Sequence, residues 1–444
     1  MNFKRMITSA VVGASMLGLV GTATAATVDL DIYGASAQYL YWNAVAPNVL
    51  TNQGCTNVQQ ATKNSTNAIT RATCGADTVY YRVSSKASFD GILALKGDDT
   101  YAAAGPAAEK CSAGDPGDPG LALRPFYRKM VDETSCTWGT PAAPGTCTAL
   151  KCVPVTLGAS DVGGDAFTQS SSGQLKGPLG GGPVTRSFTG INTAGLTAYN
   201  PIVVPFAFFA NTSVQRDLAY PAGGGVHVAN FQTITNLPRM MAVMIFSGQA
   251  FNWTDFGADF TSAPVVACLR HAGSGTHATL DHAVMNRTWG GGLPVNESLA
   301  GPTVWFNDGS SDETKCVAGS GLWSGTGAIG YADADQATSA TMVRLQYNGE
   351  DASRINIRNG RYDFWTKEWM YENPAAPAYA QTHPYVSAMM TYAANPASIP
   401  GAVATVWGGT DKTLWWATNA EMNYMKTGDK SYPAYVGATS PQLP

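Results

Sequence analysis

Pro264-Val265-Val266-Ala267-Cys268-Leu269-Arg270-His271-Ala272-Gly273-Ser274-Gly275-Thr276 is the stretch on which the fold turns. Its first seven residues form an apolar, partly β-branched run of strand length that ends on an arginine. Ala272 to Thr276 make a small polar turn, and Thr276 to about Met285 reads as a helix with serine at its start. A strand feeding a Gly/Ser turn and then a helix is the repeating unit of layered α/β proteins. The same unit gathers anion donors. Two hydroxyls and several unpaired N–H groups aim at one spot, with the positive end of a helix dipole behind them. Arg270 can reach back and add a bidentate charge. Such a set can hold an oxyanion without water. The plainer alternative is an ordinary glycine turn with a serine cap.

Similar units lie to either side. Val28 to Tyr33 reads as a strand running into Gly34-Ala35-Ser36-Ala37. Val79 to Val83 is a strand followed by Ser84-Ser85, then a helix with Phe89, Ile92, Leu93 and Leu95 on one face. Val153 to Leu157 is a short strand ending in Gly158-Ala159-Ser160-Asp161. Pro201 to Ala210 is apolar throughout and reads as a buried strand. Asn236 to Phe246 has a helical pattern closed by Ser247-Gly248, and Gly327 to Tyr331 enters another strand. Strands alternating with helices predict α/β layers with largely parallel sheets. Residues 98–152 have weak periodicity and read as an insertion pinned by disulfides, and residues 169–190, rich in Gly and Ser, read as a mobile loop.

Only 13% of the 444 residues are charged, 45% are hydrophobic, and the net charge is −4. Low charge argues against a disordered chain, a coiled coil or a nucleic-acid binder, so any anion must be bound by locally aimed donors. Lys4 and Arg5, an apolar stretch to about Val20 and then Ala23-Thr24-Ala25 give the pattern of a signal peptide, residues 1–25, cleaved after Ala25. No later run reaches about 18 apolar residues, so the expected location is the periplasm, or secreted. Eight cysteines fit that compartment and predict four disulfides. Proximity favours Cys55 with Cys74 and Cys268 with Cys316, leaving Cys111, Cys136, Cys147 and Cys152 to pair among themselves. His271, His277 and His282 are not spaced as a metal face, and no metal or cofactor is expected. No G-x-S-x-G elbow or G-x-x-x-x-G-K-[ST] loop is present, which argues against an enzyme. Phe364, Trp365 and Trp369 read as core or hinge packing.

Asp161 adds selectivity. A buried carboxylate near an anion repels it unless the anion carries a proton to donate, so an Asp acceptor selects protonated oxyanions. The plainer alternative is an Asp capping a loop.

Together these residues bring a family into view: the chain resembles the phosphate-binding protein of bacterial phosphate ABC transporters. Gly34-Ala35-Ser36-Ala37-Gln38-Tyr39 is similar to that family's first turn, although Gln38 and Tyr39 stand where Thr and Phe are usual. Ser84-Ser85 resemble its Ser-Ser helix start, Gly158-Ala159-Ser160-Asp161 its Gly-Ala-Ser-Asp segment, and Arg270 to Thr276 its Arg-x-x-Gly-Ser-Gly-Thr loop. Ile245-Phe246-Ser247-Gly248 with Asn252-Trp253, and Gly327 to Tyr331, match further family strings. The resemblance implies a two-lobed periplasmic binding protein with two hinge crossings, near Val204 and Phe364. Residues 26–203 plus 364–444 would form lobe 1, with the insertion at 98–152, and residues 204–363 lobe 2. It implies inorganic phosphate or a similar oxyanion as ligand. Arg270, Ser274, Gly275 and Thr276 would bind it from lobe 2, and Asp161, Ser84 or Ser85, the Gln38 amide and the Tyr39 N–H from lobe 1. Ser160 is a weaker candidate. A monomer is expected, docking on an inner-membrane ABC permease. The insertion departs from the family: about 75 residues separate Ser85 from Asp161, and they could cover the cleft, dock a partner or obstruct permease docking. A secreted or surface interaction protein that keeps this fold, and a phosphate-acting enzyme, are the competing readings.

Overall fold

The computed structural model describes residues 25–101, 109–167, 170–175, 183–220, 227–285, 295, 303–319, 325–398 and 416–436. The expected signal peptide lies outside them, apart from Ala25. Two large mixed sheets with helices against them make an α/β architecture. The first has nine strands in the order Thr197–Tyr199, Trp369–Glu372, Leu157–Ser160, Thr27–Gly34, Asp77–Ser85, Asn67–Cys74, Thr56–Asn64, Gly145–Cys147 and Cys136–Thr137. Its centre is parallel, with Ile32 opposite Leu157 on one side and Val83 on the other. In the second sheet the order is Pro183–Ser187, Ser170–Leu175, Thr303–Asn307, Val266–Arg270, Ala328–Asp333, Ile202–Asn211, Met342–Tyr347 and Asn236–Leu237. Here too the centre is parallel: Val266 faces Thr303 and Ala328. Antiparallel strands flank both centres. Ligands of open α/β sheets bind beyond the carboxyl ends of parallel strands. Gly34, Ser85, Ser160 and Arg270 all stand at such ends.

The apolar run after Pro201 forms a strand buried along its whole length, Ile202–Asn211. Its first half pairs antiparallel with Trp365–Lys367, Val204 opposite Thr366, and its second half pairs with Ala328–Asp333 and Met342–Tyr347. One strand therefore ties the return segment to the second sheet. Phe364 and Trp365 are buried beside it.

The structure departs from local expectation in three places. Of residues 169–190, expected as a loop, 169 and 176–182 lie outside the described residues, and the rest contains two strands. Ser170–Leu175 and Pro183–Ser187 pair antiparallel, and the first adds in parallel to Thr303–Asn307, so backbone pairing at the open edge of the second sheet orders a stretch whose side chains gave no period. The helix expected from Asn236 starts at Arg239, because Asn236–Leu237 pairs with Gln346 and Tyr347 and Pro238 stands at the cap. The helix expected over Thr276–Met285 is one α-turn, Gly275–Thr279, followed by a π-turn, Leu280–Val284.

Four disulfides are present: Cys55–Cys74 and Cys268–Cys316 as expected from proximity, and Cys111–Cys152 with Cys136–Cys147. The last two lie in the insertion, which contributes Gly145–Cys147 and Cys136–Thr137 to the edge of the first sheet and a separate pair, Tyr127–Val131 with Leu150–Pro154. Buried charges fasten it. Arg128 Nη2 bonds Asp90 at 2.7 Å, and Arg82, held by Asp31 of its own sheet at 2.8 Å, bonds Glu133 at 2.6 Å. No helix among the described residues is long and apolar enough to cross a membrane.

Candidate functional site

Arg270 ends its strand fully buried. Its Nη1 donates to Ser36 Oγ at 3.0 Å and to Ser310 Oγ at 3.1 Å, and Nη2 donates to the Asp308 carbonyl at 2.8 Å. These partners are neutral oxygens, so the guanidinium charge is positioned without being cancelled by contact. Arg270 Nε is buried without a partner among the described residues. Ser36 belongs to the first turn, and Ser310 opens the helix Ser310–Ala318. One arginine thus reaches across to the first sheet through Ser36 while Ser310 holds it within its own sheet's layer.

The turn after Arg270 meets the first sheet directly. Ser274 occupies the cap position, yet its hydroxyl makes no capping bond and is buried without a partner among the described residues. With only one α-turn behind it the helix dipole is short, so polar groups and Arg270 carry the site's electrostatics. Gly275 N–H donates to Ser88 Oγ at 3.1 Å, and Thr276 Oγ1 donates to Asp161 Oδ2 at 3.2 Å. Ser88 Oγ also accepts from the Asp161 N–H at 3.2 Å. The other Asp161 oxygen, Oδ1, has no donor among the described residues. Gly275 is required by this approach, since a Cβ would stand 2.6 Å from Asp161 Cβ and from Ser88 Oγ. Gly34 serves the same end on the other side. Its φ is +136°, and a Cβ there would meet the Ala159 carbonyl at 2.1 Å.

Arg270, Ser274, Gly275, Thr276 and Asp161 therefore converge. The remaining expected residues do not join them. Ser84 donates to Asn67 Oδ1, on the neighbouring strand. Ser85 lines a cavity of about 230 Å3 beside the convergence, with Ser36, Ser310 and Asp333. The serine that reaches the site is Ser88, three residues further on, because the strand runs through Ser85 and the helix begins only at Ser88. Gln38 spends its amide N–H on the Ser160 carbonyl at 3.0 Å and the Trp369 carbonyl at 3.3 Å, and accepts from Trp42 Nε1 at 2.8 Å. The Tyr39 N–H closes its own turn on the Ser36 carbonyl at 3.2 Å. Ser160 Oγ turns to the Val162 carbonyl at 2.6 Å. The histidines serve packing: His271 contacts Tyr101, His277 Nδ1 lies 2.6 Å from the Tyr331 hydroxyl, and His282 Nε2 donates to the Ala166 carbonyl.

Sequence reading missed the acids that surround Arg270. Asp333, Glu313 and Glu368 are all buried beside it or beside Asp161. Asp333 accepts from Ser310 Oγ at 3.2 Å and Gln336 at 2.8 Å, and Glu313 accepts the Tyr331 N–H at 2.9 Å. Burial pushes the Asp161 carboxyl up to about 7, aided by Asp333 and opposed by Arg270. Desolvation likewise raises Asp333 and carries Glu313 and Glu368 well above the usual carboxylate range. Pushed toward their neutral forms, Asp333, Glu313 and Glu368 offset the Arg270 charge less than free carboxylates would. Of the missed residues, Ser36 and Ser310 were legible as small hydroxyl residues at turn and helix starts. Glu368, in Trp365-Thr366-Lys367-Glu368-Trp369, gave no signal.

No family model matches the sequence, and no curated protein matches it. Among solved structures the chain is similar to phosphate-binding proteins. The Stenotrophomonas maltophilia phosphate-binding protein is 12% identical over 83% of this chain and 84% of its own, with a TM-score of 0.42. PfluDING, a high affinity periplasmic phosphate-binding protein bound with phosphate, is 15% identical over 85% and 93%, with a TM-score of 0.43. An ABC-type phosphate transport receptor from Vibrio cholerae is 16% identical over 54% and 77%, with a TM-score of 0.32.

Proposed function

We propose that this protein is an exported solute-binding protein that captures inorganic phosphate, or a similar protonated oxyanion, between its two lobes for ABC-type import, and that it is not an enzyme. The observation that carries the reading is the meeting of Arg270, Ser274 and Thr276 with Ser88 and Asp161 across the two sheets. Ser274 Oγ, Arg270 Nε and Asp161 Oδ1 are buried there without partners among the described residues, a combination of two donors and one acceptor that suits an anion bearing a proton. On binding, ligand oxygens would take over the Gly275 N–H and the Thr276 hydroxyl, and Asp161 would accept the ligand's own O–H. The four disulfides support export to an oxidising compartment. The permease of an inner membrane is the partner this reading implies, with the protein acting as a monomer.

A second reading has its own support. Gly275 with Ser88, and Thr276 with Asp161, already bond one another, which equally suits a fold kept for interaction with another protein. Calorimetric titration of the mature protein with phosphate, arsenate and sulfate separates the two. Binding of phosphate and arsenate with rejection of sulfate is expected. Failure to bind phosphate overturns the first reading in favour of the second.

A further inference from the structure

Glu368 lies between the strands Trp365–Lys367 and Trp369–Glu372. The antiparallel register pairs Trp369 with Ser160, which sets Glu368 across from Asp161. Its backbone is tied to the crossing segment: the N–H donates to the Ile202 carbonyl at 3.0 Å, and the carbonyl accepts from Asn200 at 3.2 Å. Its side chain is fully buried, and the Asp161 carboxyl acts on it electrostatically. Three oxygens there, Asp161 Oδ1 and both Glu368 oxygens, have no donor among the described residues. Two neighbouring carboxylates in a desolvated site resist ionising together, so the second proton leaves only at higher pH. A single proton between them makes one hydrogen bond to Asp161 and leaves its other lone pairs for a ligand O–H.

The groups facing this pair come from four elements. Asp333 approaches from the second sheet, and Gln38 from the start of the first helix. Arg270 acts on Asp161 and on Asp333, and the Thr276 hydroxyl bonds Asp161. Arg270 therefore favours the charge on Asp161. Glu368, beside Asp161 and Asp333, is the member of the pair placed to keep the proton.

We propose that Glu368 is a positioning residue of the oxyanion site: it carries the shared proton, donates it to Asp161, and so presents Asp161 as the acceptor for a ligand O–H. For its ligand this inference rests on the phosphate reading above. Its consequence is that capture depends on pH. When the proton leaves Glu368 for solvent, two adjacent negative carboxylates face an incoming anion, and binding weakens.

The substitution Glu368→Gln replaces the O–H donor with an N–H donor that cannot ionise. Phosphate affinity is measured by calorimetry for both proteins from about pH 6 to about pH 9. Both proteins share the pH dependence of phosphate's own ionisation. Beyond it, the wild type is expected to lose about tenfold in affinity per pH unit once Glu368 ionises, and the glutamine variant to lose nothing further. Parallel profiles overturn the proposal. If the variant does not fold, wild-type titrations in buffers of different ionisation enthalpy count protons at alkaline pH. Uptake beyond that of phosphate supports the proposal, and none overturns it. If neither protein binds phosphate, the phosphate reading fails, and thermal unfolding still tests the pair. A carboxyl raised in the folded state stabilises below its unfolded range and loses that contribution as pH rises through its folded value. The wild type should then destabilise more than the variant as pH increases, and parallel melting curves overturn the shared proton.

Discussion

Replacing Gly275 by alanine tests whether the two sheets meet at the proposed anion site in the bound form. The new Cβ would stand 2.6 Å from Asp161 Cβ, 2.6 Å from Ser88 Oγ and 3.1 Å from Asp161 Cγ. Neither neighbour can swing away cheaply. The Asp161 N–H donates to Ser88 Oγ, and the Asp161 carbonyl accepts from Thr366 Oγ1 at 2.7 Å. Relief must come from backbone shifts that part the two sheets, and overpacking of this kind costs about 1–3 kcal/mol. If the cost falls on the bound form, phosphate affinity drops about 5- to 150-fold. Calorimetric titration measures it directly, with Gly428→Ala as a control, since nothing lies within 4 Å of a Cβ there. The control should match the wild type. A Gly275→Ala protein that binds phosphate within about twofold of the wild type would show that Gly275, Ser88 and Asp161 do not close on the ligand, and the site would have to lie elsewhere.

Arg270→Ala should weaken phosphate binding by about 10- to 150-fold or more, because a charge-assisted contact contributes roughly 1.5–3 kcal/mol and its loss leaves the anion among buried acids; an unchanged dissociation constant contradicts the assignment. Asp161→Asn should narrow the preference for phosphate over sulfate, chiefly by admitting sulfate, as read by competition titration; equal discrimination in variant and wild type removes Asp161 as the selector. Replacing Cys136 and Cys147 by serine should lower the melting temperature, in line with about 2–4 kcal/mol per bridge, while leaving phosphate affinity within about twofold. The same change at Cys268 and Cys316 should lower both, because that bridge ties the Arg270 strand to the helix whose first residue, Ser310, accepts from Arg270.

Local pattern carried a great deal of this protein. The strand ending at Arg270, the buried run after Pro201 and the turns at Gly34 and Ser160 are each legible because period, small residues and strand length are properties of contiguous sequence. Proximity along the chain likewise pointed to Cys55–Cys74 and Cys268–Cys316. Where element boundaries mattered, pattern faltered. Ser84 and Ser85 read as a helix start, yet pairing with Asn67 and Thr66 extends the strand through both and hands the site to Ser88. Gln38 read as an anion donor, but its amide is consumed by carbonyls from two other strands, which no local signal announces.

What the sequence determined by itself is the set of chemical groups: one arginine at a strand end, small residues that let backbones approach, hydroxyls at turns, and an aspartate in a glycine-rich segment. What only the tertiary structure decided is which of them meet. Glu368, Asp161, Asp333 and Arg270 are separated by long stretches of chain, and their mutual electrostatics exist only once the strands at 202–211 and 365–372 bring the sheets together. Burial then changes what each group is. A carboxyl such as Glu368, an ordinary anion in an extended chain, is driven toward its neutral form by burial and by two neighbouring acids, and desolvation of that kind depends on every neighbour at once, not on the identity of the residue.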